Sequence, residues 1–290
     1  MNSERTHLMI GLPETGKTTF LAAFWCWVSD SRTNGTLHAD ALPADRQYLN
    51  EIARVWLQGN VQPRTNTGSV FQVSMTLSDP STHQQSNIVF PDLSGELFET
   101  QWSKRQWDTD YDRLVRDAHG LILFVHPDRL QPGYTIPEVE AGAALIRGAN
   151  ASANAPVAES QGQTPWEPRL APTQVVLIDL LQFILDDPCF VPALRVSTVI
   201  SAWDLVKAEA KTPTRWLSDY LPLLDQFILT NRARIENRTF GISAQGGDYA
   251  NSEARKTLLA RNALDRIEAV DDAGMRSDIT APIRWLMTAD

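Results

Sequence analysis

The ten residues "GLPETGKTTF", Gly11 to Phe20, settle the architecture of this chain once their surroundings are read. The pattern Gly11-x-x-x-x-Gly16-Lys17-Thr18 follows "THLMIGL", an apolar run of buried-strand type, and precedes "TTFLAAFWCWV", which has the length and composition of a helix. Strand, glycine loop and helix, in that order, form the setting in which such a loop holds phosphate. The glycines let the backbone turn tightly, so that successive N–H groups point inward at phosphate oxygens. The helix adds the positive end of its dipole. Gly11, Pro13, Glu14, Thr15, Gly16, Lys17, Thr18 and Thr19 are therefore the candidate cradle. Lys17 is placed to reach the β- and γ-phosphates, and the Thr18 hydroxyl to ligate Mg²⁺.

Composition narrows the setting. A chain of 290 residues, 43% of them hydrophobic, can bury a sizeable core. The formal net charge of −9 disfavours non-specific adhesion to nucleic acid or anionic lipid. Cys26 and Cys189 lie far apart, match no metal spacing and read as reduced thiols of a cytoplasmic protein. "FLAAFWCWV" is too short to span a membrane, and "VVLIDLLQFIL" is interrupted by Asp179. The N-terminal residues show no signal-peptide pattern. The histidines form no cluster, so no zinc site is expected.

A second acidic site is expected downstream. "SNIVFPDLSGELF" supplies an apolar strand (Ile88, Val89, Phe90) ending in Asp92, then Gly95 and Glu96. An Asp at a strand end beside the loop can hold Mg²⁺ through water, and the Gly95 N–H can meet a γ-phosphate. Two further strands each end in a short polar motif. "LRVSTVISAWDLV" gives Ser201-Ala202-Trp203-Asp204, and "RTFGISAQGGD" gives Ser243-Ala244-Gln245.

In order and context these motifs resemble the TRAFAC-class GTPases, Ras-like proteins among them. That family carries the phosphate loop, D-x-x-G, N/T-K-x-D and S-A-K, each at a strand end. The resemblance implies that Asp204 reads the base. Guanine presents N1–H and a 2-amino group side by side, and one carboxylate accepts both. Adenine offers a lone pair there instead, so the carboxylate is left unpartnered. The Ala244 N–H would then bind guanine O6, with Ser243 and Gln245 in the same loop. The chain departs from the pattern at Ser201 and Ala202, where the family has Asn and Lys. Loop bracing and the base-stacking alkyl chain are therefore expected to be missing, with Trp203 as a packing substitute. Gln245 replaces the usual Lys.

"ADRQYLNEIARVWLQGN" reads as an amphipathic helix (Leu49, Ile52, Ala53, Trp56, Leu57) ended by Gly59. It stands as a helical insertion before the first switch, whose Mg²⁺-ligating Thr is either Thr65 or Thr67. Arg64, three residues before Thr67, resembles the transition-state arginine of heterotrimeric G-protein α subunits; an exposed loop arginine has the same look. Glu96 stands where Ras-like enzymes have Gln. It either acts as a base or repels the γ-phosphate and slows turnover. The catalytic candidates are thus Lys17, Gly95, Glu96 and Arg64. Trp102 and Trp107, in the second-switch segment, are either partner anchors or covers for the core.

The fold expected is α/β: one three-layer P-loop domain over residues 1–290, Ras-like, with a mostly parallel sheet. A flexible Pro/Ala-rich excursion near 148–173 falls between its fourth and fifth strands. "PTRWLSDYLPLLDQFILTNRA" is read as one helix containing a proline, "DRIEAV" as a strand, and Asp278 as the cap of the last helix. The function expected is a Mg²⁺-dependent GTP/GDP switch with slow intrinsic hydrolysis. The rivals are a P-loop ATPase or kinase, and a module that nucleotide merely stabilises. "GLPETGKTTFLAAFW", "DLSGELF" and "DITAPIRWLM" look like the bacterial double-GTPase type, encoded in multi-gene conflict or defence systems. That likeness implies a second GTPase or an effector as partner. Pairing of two copies across the nucleotide stays open.

Overall fold

The computed structural model describes residues 5–30, 33, 36–62, 71–92, 102–106, 108–133, 140, 170–185, 193–276 and 278–288. Among them the strands are β1 Arg5–Gly11, β2 His38–Ala39, β3 Phe71–Asp79, β4 Gln84–Asp92, β5 Gly120–Val125, β6 Leu194–Ser201, β7 Ile235–Ser243, β8 Glu268–Asp271 and β9 Gly274–Arg276. They form one sheet in the order β2-β3-β4-β1-β5-β6-β7-β8-β9. The five central strands, β4-β1-β5-β6-β7, run parallel, and the outer ones add antiparallel edges. The mostly parallel three-layer α/β architecture is therefore present. The two-residue β2 escapes any periodicity argument and shifts the strand count by one. The Ala/Pro-rich excursion thus follows the fifth strand and precedes the sixth, and most of it lies outside the described residues.

β5, "GLILFV", is buried at every position, as a parallel strand covered on both faces must be. Its side chains divide between two cores. Ile122 and Phe124 join Phe20, Phe24, Trp56, Phe90 and Phe240 on one face; Leu121, Leu123 and Val125 join Leu177, Leu181 and Trp216 on the other. The first face is covered by α1 (Lys17–Val28), α2 (Arg46–Leu57) and the last helix, Ala281–Met287. The second is covered by Thr109–Arg116, by Thr173–Leu185 and by Pro213–Tyr220 with Pro222–Thr230. Each large side chain so buried contributes roughly 1.5–3 kcal/mol of transfer free energy.

The insertion helix α2 buries Leu49, Ile52, Ala53 and Trp56 as its period demands. Leu57 departs from that stripe and is 45% exposed. Gly59, at φ 63°, turns the chain out of the helix, and a Cβ there would lie 2.9 Å from Leu259 Cδ2. The segment read as one helix with a proline is two helices. Pro222 has no N–H to give and disfavours helical backbone at Leu221, which sits at φ −130° and ψ 55°. Asp278 stands two residues ahead of the cap position, Thr280; its carboxylate accepts the Thr280 N–H at 2.8 Å and pairs with Arg284 at 3.3 Å. Trp102 packs against the second core, which favours the core-cover reading; Trp107 lies outside the described residues. Cys26 is half-buried, and burial pushes its thiol up to about 11, so it stays protonated. No described helix is long and apolar enough to cross a membrane.

Candidate functional site

Parallel pairing brings the motifs to one edge. Gly11 lies opposite Phe124, Val125 opposite Ile200, and Ser201 opposite Ile242, so β1, β5, β6 and β7 end together. The chain leaves β1 toward β4 on one side and returns to β5 on the other. The loop after β1 therefore stands at the point where strand order reverses, the usual ligand crevice of such sheets.

The glycine loop has the backbone its residues predict. A Cβ on Gly11 would lie 2.9 Å from Phe124 Cβ and 3.0 Å from Thr15 Oγ1, so the strand admits none. Gly16 is left-handed at φ 83°, and Glu14 takes the same region at φ 60°. Thr15 is 4% exposed, and its hydroxyl donates to the Leu12 carbonyl at 2.8 Å; it shapes the loop by its side chain. The first helical hydrogen bond runs from Phe20 N–H to the Gly16 carbonyl at 2.9 Å. The N–H groups of Lys17, Thr18 and Thr19 precede it, as at any helix start. Lys17 Nζ donates to the carbonyls of Gly11 and Leu12, at 2.9 and 2.8 Å. One shallow cleft is lined by Lys17, Thr18, Tyr48, Val73, Phe90 and Pro91, and another by Gly11, Pro13, Lys17 and Pro91.

Mg²⁺ takes a hydroxyl, one or two carboxylates, phosphate oxygens and water, and the Thr18 hydroxyl is one such donor in a residue lining this cleft. Thr18 lines the cleft with Pro91, whose neighbour Asp92 is the last residue of β4. The remaining candidates of that shell and of the chemistry, Arg64, Thr65, Thr67, Gly95 and Glu96, lie outside the described residues.

The other half of the site is built from the ends of β6 and β7. Ala202 is left-handed at φ 46°, which turns the chain sharply into the turn Trp203–Leu205. Trp203 is 4% exposed and lies flat against β7: a Cβ on Gly241 would sit 2.3 Å from its Cδ2. It therefore fastens the turn to the sheet by packing, which is the substitution expected of it, and stacks on no base from that seat. The Ser243 hydroxyl donates to the Asp204 carboxylate, and the Gly246 N–H donates to Ser243 Oγ at 3.1 Å. Gln245 Nε2 donates to the Gly247 carbonyl at 2.9 Å and stays within its own loop. Ser201, the last residue of β6, stands beside the phosphate loop. Its hydroxyl donates to the Val125 carbonyl at 3.1 Å, and a Cβ on Gly16 would lie 3.3 Å from it. Ser201 thus ties the end of β6 to the end of β5 and stands against the phosphate loop.

Several neighbours carry no sequence signal. Arg129 pairs with Glu14 at 3.5 Å. His126, at the end of β5, is held below its usual range by burial; Asp128 opposes this, and Asp204 and Glu14 add weaker opposition. Trp56 Nε1 donates to the Ala244 carbonyl at 3.0 Å across 188 residues of sequence. Arg266, 4% exposed, lies 5.7 Å over the Trp56 ring and 3.4 Å from the Tyr249 hydroxyl.

Comparison with known proteins agrees in kind. The model of the Double-GTPase 1 family matches residues 8–286. No curated protein matches the chain. Among solved structures, a bacterial selenocysteine-specific elongation factor, EF-Sec, is 14% identical, with a TM-score of 0.39, over 90% of this chain and 29% of that one. The signal recognition particle receptor SRb-GTP/SRX complex from Chaetomium thermophilum gives 14%, 0.42, 90% and 98% in the same order. The GTP-bound Ski7 GTPase-like domain of S. cerevisiae gives 13%, 0.39, 86% and 45%. This chain thus spans less than half the length of the first and third of these.

Proposed function

The chain belongs to the Double-GTPase 1 family, and from that premise we propose that it is a Mg²⁺-dependent guanine-nucleotide switch with slow intrinsic hydrolysis, coupled to a protein partner. One observation carries the reading: a phosphate loop and a Ser243-held carboxylate, Asp204, stand at the same edge of the sheet, with Ser201 beside Gly16.

The division of labour follows from chemistry. The loop N–H groups and Lys17 bind the β- and γ-phosphates. To do so, Lys17 exchanges carbonyl acceptors for charged ones, a stronger hydrogen bond. Thr18 and Asp92 would hold Mg²⁺, which would offset phosphate charge, with Thr65 or Thr67 completing the shell in the GTP state. Asp204 accepts guanine N1–H and the 2-amino group. The Ser243 donor, bonded to Oδ1, orients the carboxylate for that task. Gly95 senses the γ-phosphate, and Glu96 and Arg64 govern hydrolysis. Rearrangement at the two switches then recruits or releases the partner, a second GTPase or an effector, in a bacterial conflict or defence setting.

Calorimetry with GTP, GDP and ATP on wild type, Lys17→Ala and Asp204→Ala tests this. Lys17→Ala is expected to lose all three ligands, and Asp204→Ala to lose its preference for guanine while keeping ATP. Unchanged GTP affinity in Asp204→Ala would remove the base-reading argument. Tighter binding of ATP than of GTP by wild type would favour an ATPase.

A further inference from the structure

The loop that follows β7 is tied at three points, and the third comes from the inserted helix. Ser243 is tied to Asp204, and Gly246, at φ 81°, fits so closely that a Cβ there would lie 2.4 Å from the Arg266 carbonyl oxygen. Between them, the Ala244 carbonyl accepts the indole N–H of Trp56 at 3.0 Å, in a region where both residues are buried. Trp56 is itself 0% exposed and fixed from behind. The Arg266 guanidinium lies 5.7 Å over its ring and also approaches the Leu57 carbonyl at 3.5 Å. Arg255 holds the exit of the same helix, donating to the carbonyls of Gly59 at 2.6 Å and Gln58 at 3.1 Å. A helix packed only for its apolar stripe needs none of these polar ties. A leucine or phenylalanine at position 56 would fill the core without meeting the loop.

We propose that Trp56 is a positioning residue for base recognition: by holding the Ala244 carbonyl, it sets the orientation of the loop whose Ala244 N–H faces guanine O6. This rests on the reading of Asp204 and Ala244 as the base site. The physical reason is rotational. A loop alanine has no side chain to anchor it, so its carbonyl is the handle by which the loop is oriented. In a buried setting that carbonyl cannot trade the indole for water without cost. Removing the N–H alone leaves the carbonyl unpartnered and releases one of the loop's three ties, the one at Ala244. Asp204, held through Ser243, keeps its own geometry. The effect is therefore confined to the O6 contact and spares the contacts to N1–H and the 2-amino group.

The test uses the full chain with Mg²⁺ and four probes: GTP, 6-thioguanosine triphosphate (a poorer acceptor at position 6), inosine triphosphate (no 2-amino group) and ATP. Two variants remove the indole donor: Trp56→Phe, and replacement of Trp56 by 3-benzothienylalanine, which keeps the shape of the indole with sulfur for N–H and guards against loss of packing. In both, GTP affinity is expected to fall about tenfold. The preference for GTP over the 6-thio analogue should shrink toward unity, while the preference for GTP over inosine triphosphate persists and ATP is unchanged. Equal losses for all four nucleotides, or wild-type GTP affinity in the benzothienyl variant, would overturn the proposal and reduce Trp56 to a packing residue. If wild type shows no preference for GTP over ATP, the base-site reading fails and this inference falls with it. A normal guanine preference that Trp56 does not influence sinks the inference alone.

Discussion

His7 sits within β1 at 1% exposure, and neither ring nitrogen has a hydrogen-bond partner among the described residues. Burial, with weaker contributions from His119, Arg5 and Arg195, lowers its pKa from 6.5 to about 3. The sign of the consequence is fixed. Above pH 6.5 the ring is neutral in both states, and stability is on its plateau. As pH falls from 6.5 toward 3, the unfolded chain takes up a proton that the folded chain refuses, so stability declines by up to about 1.4 kcal/mol per pH unit. Denaturant unfolding between pH 7.5 and 5 should show this decline in wild type. His7→Leu should flatten it and raise stability at pH 5 relative to wild type. An equally steep profile in the variant would assign the acid sensitivity to other groups. Asp204 illustrates the opposite residue-level design, a carboxylate just past a strand end that has a partner in the Ser243 hydroxyl.

The turn Trp203–Leu205 and β7 act as a pair, because Gly241 leaves the space that the Trp203 ring occupies. Gly241→Ala places a methyl 2.3 Å from Trp203 Cδ2, and either the ring or the strand must move. Overpacking of this kind costs about 1–3 kcal/mol. Because Asp204 is the next residue, the displacement should weaken GTP more than ATP, read by calorimetry alongside unfolding. Gly133→Ala serves as the control, since the nearest atoms of the described residues, on Pro172, are 3.8 Å away; its stability and affinity should match wild type. Equal behaviour of the two variants would show that the turn does not depend on its seat. The same scale explains the broken helix at Leu221. Two short helices, each opening on proline, let the chain bend over the sheet where one straight helix would leave it.

At the scale of the whole molecule, the described residues form two cores on one sheet, and β1, β4, β5, β6 and β7 contribute side chains to both. Neither layer can lose its packing without exposing the strands that support the other. We therefore expect residues 1–290 to unfold as one domain, with a single calorimetric transition, although chains of this length often divide. Saturating Mg²⁺-GTP at about a thousandfold over Kd adds about 4 kcal/mol and should raise Tm by roughly 10 °C. Lys17→Ala should abolish that shift. Two resolved transitions, with nucleotide moving one of them, would split the molecule into separate units.

Local pattern alone determined much of this protein. Gly11, Gly16, Lys17 and Thr18 announce a phosphate loop because tight turns and helix starts are encoded within a few residues. The parallel strands are equally plain, because burial on both faces demands unbroken apolar runs such as "GLILFV". The order of the motifs along these strands then implied that they meet at one edge. What only the tertiary structure decided are contacts between groups distant in the chain. Trp56 reaches Ala244 across 188 positions, Trp203 occupies the space left by Gly241, and Ser201 ties the ends of β6 and β5 together. A tryptophan on an apolar helix stripe looks like core whichever neighbour its N–H meets. Periodicity reports which face of an element is buried, and the partner on that face is chosen by the packing of the whole chain.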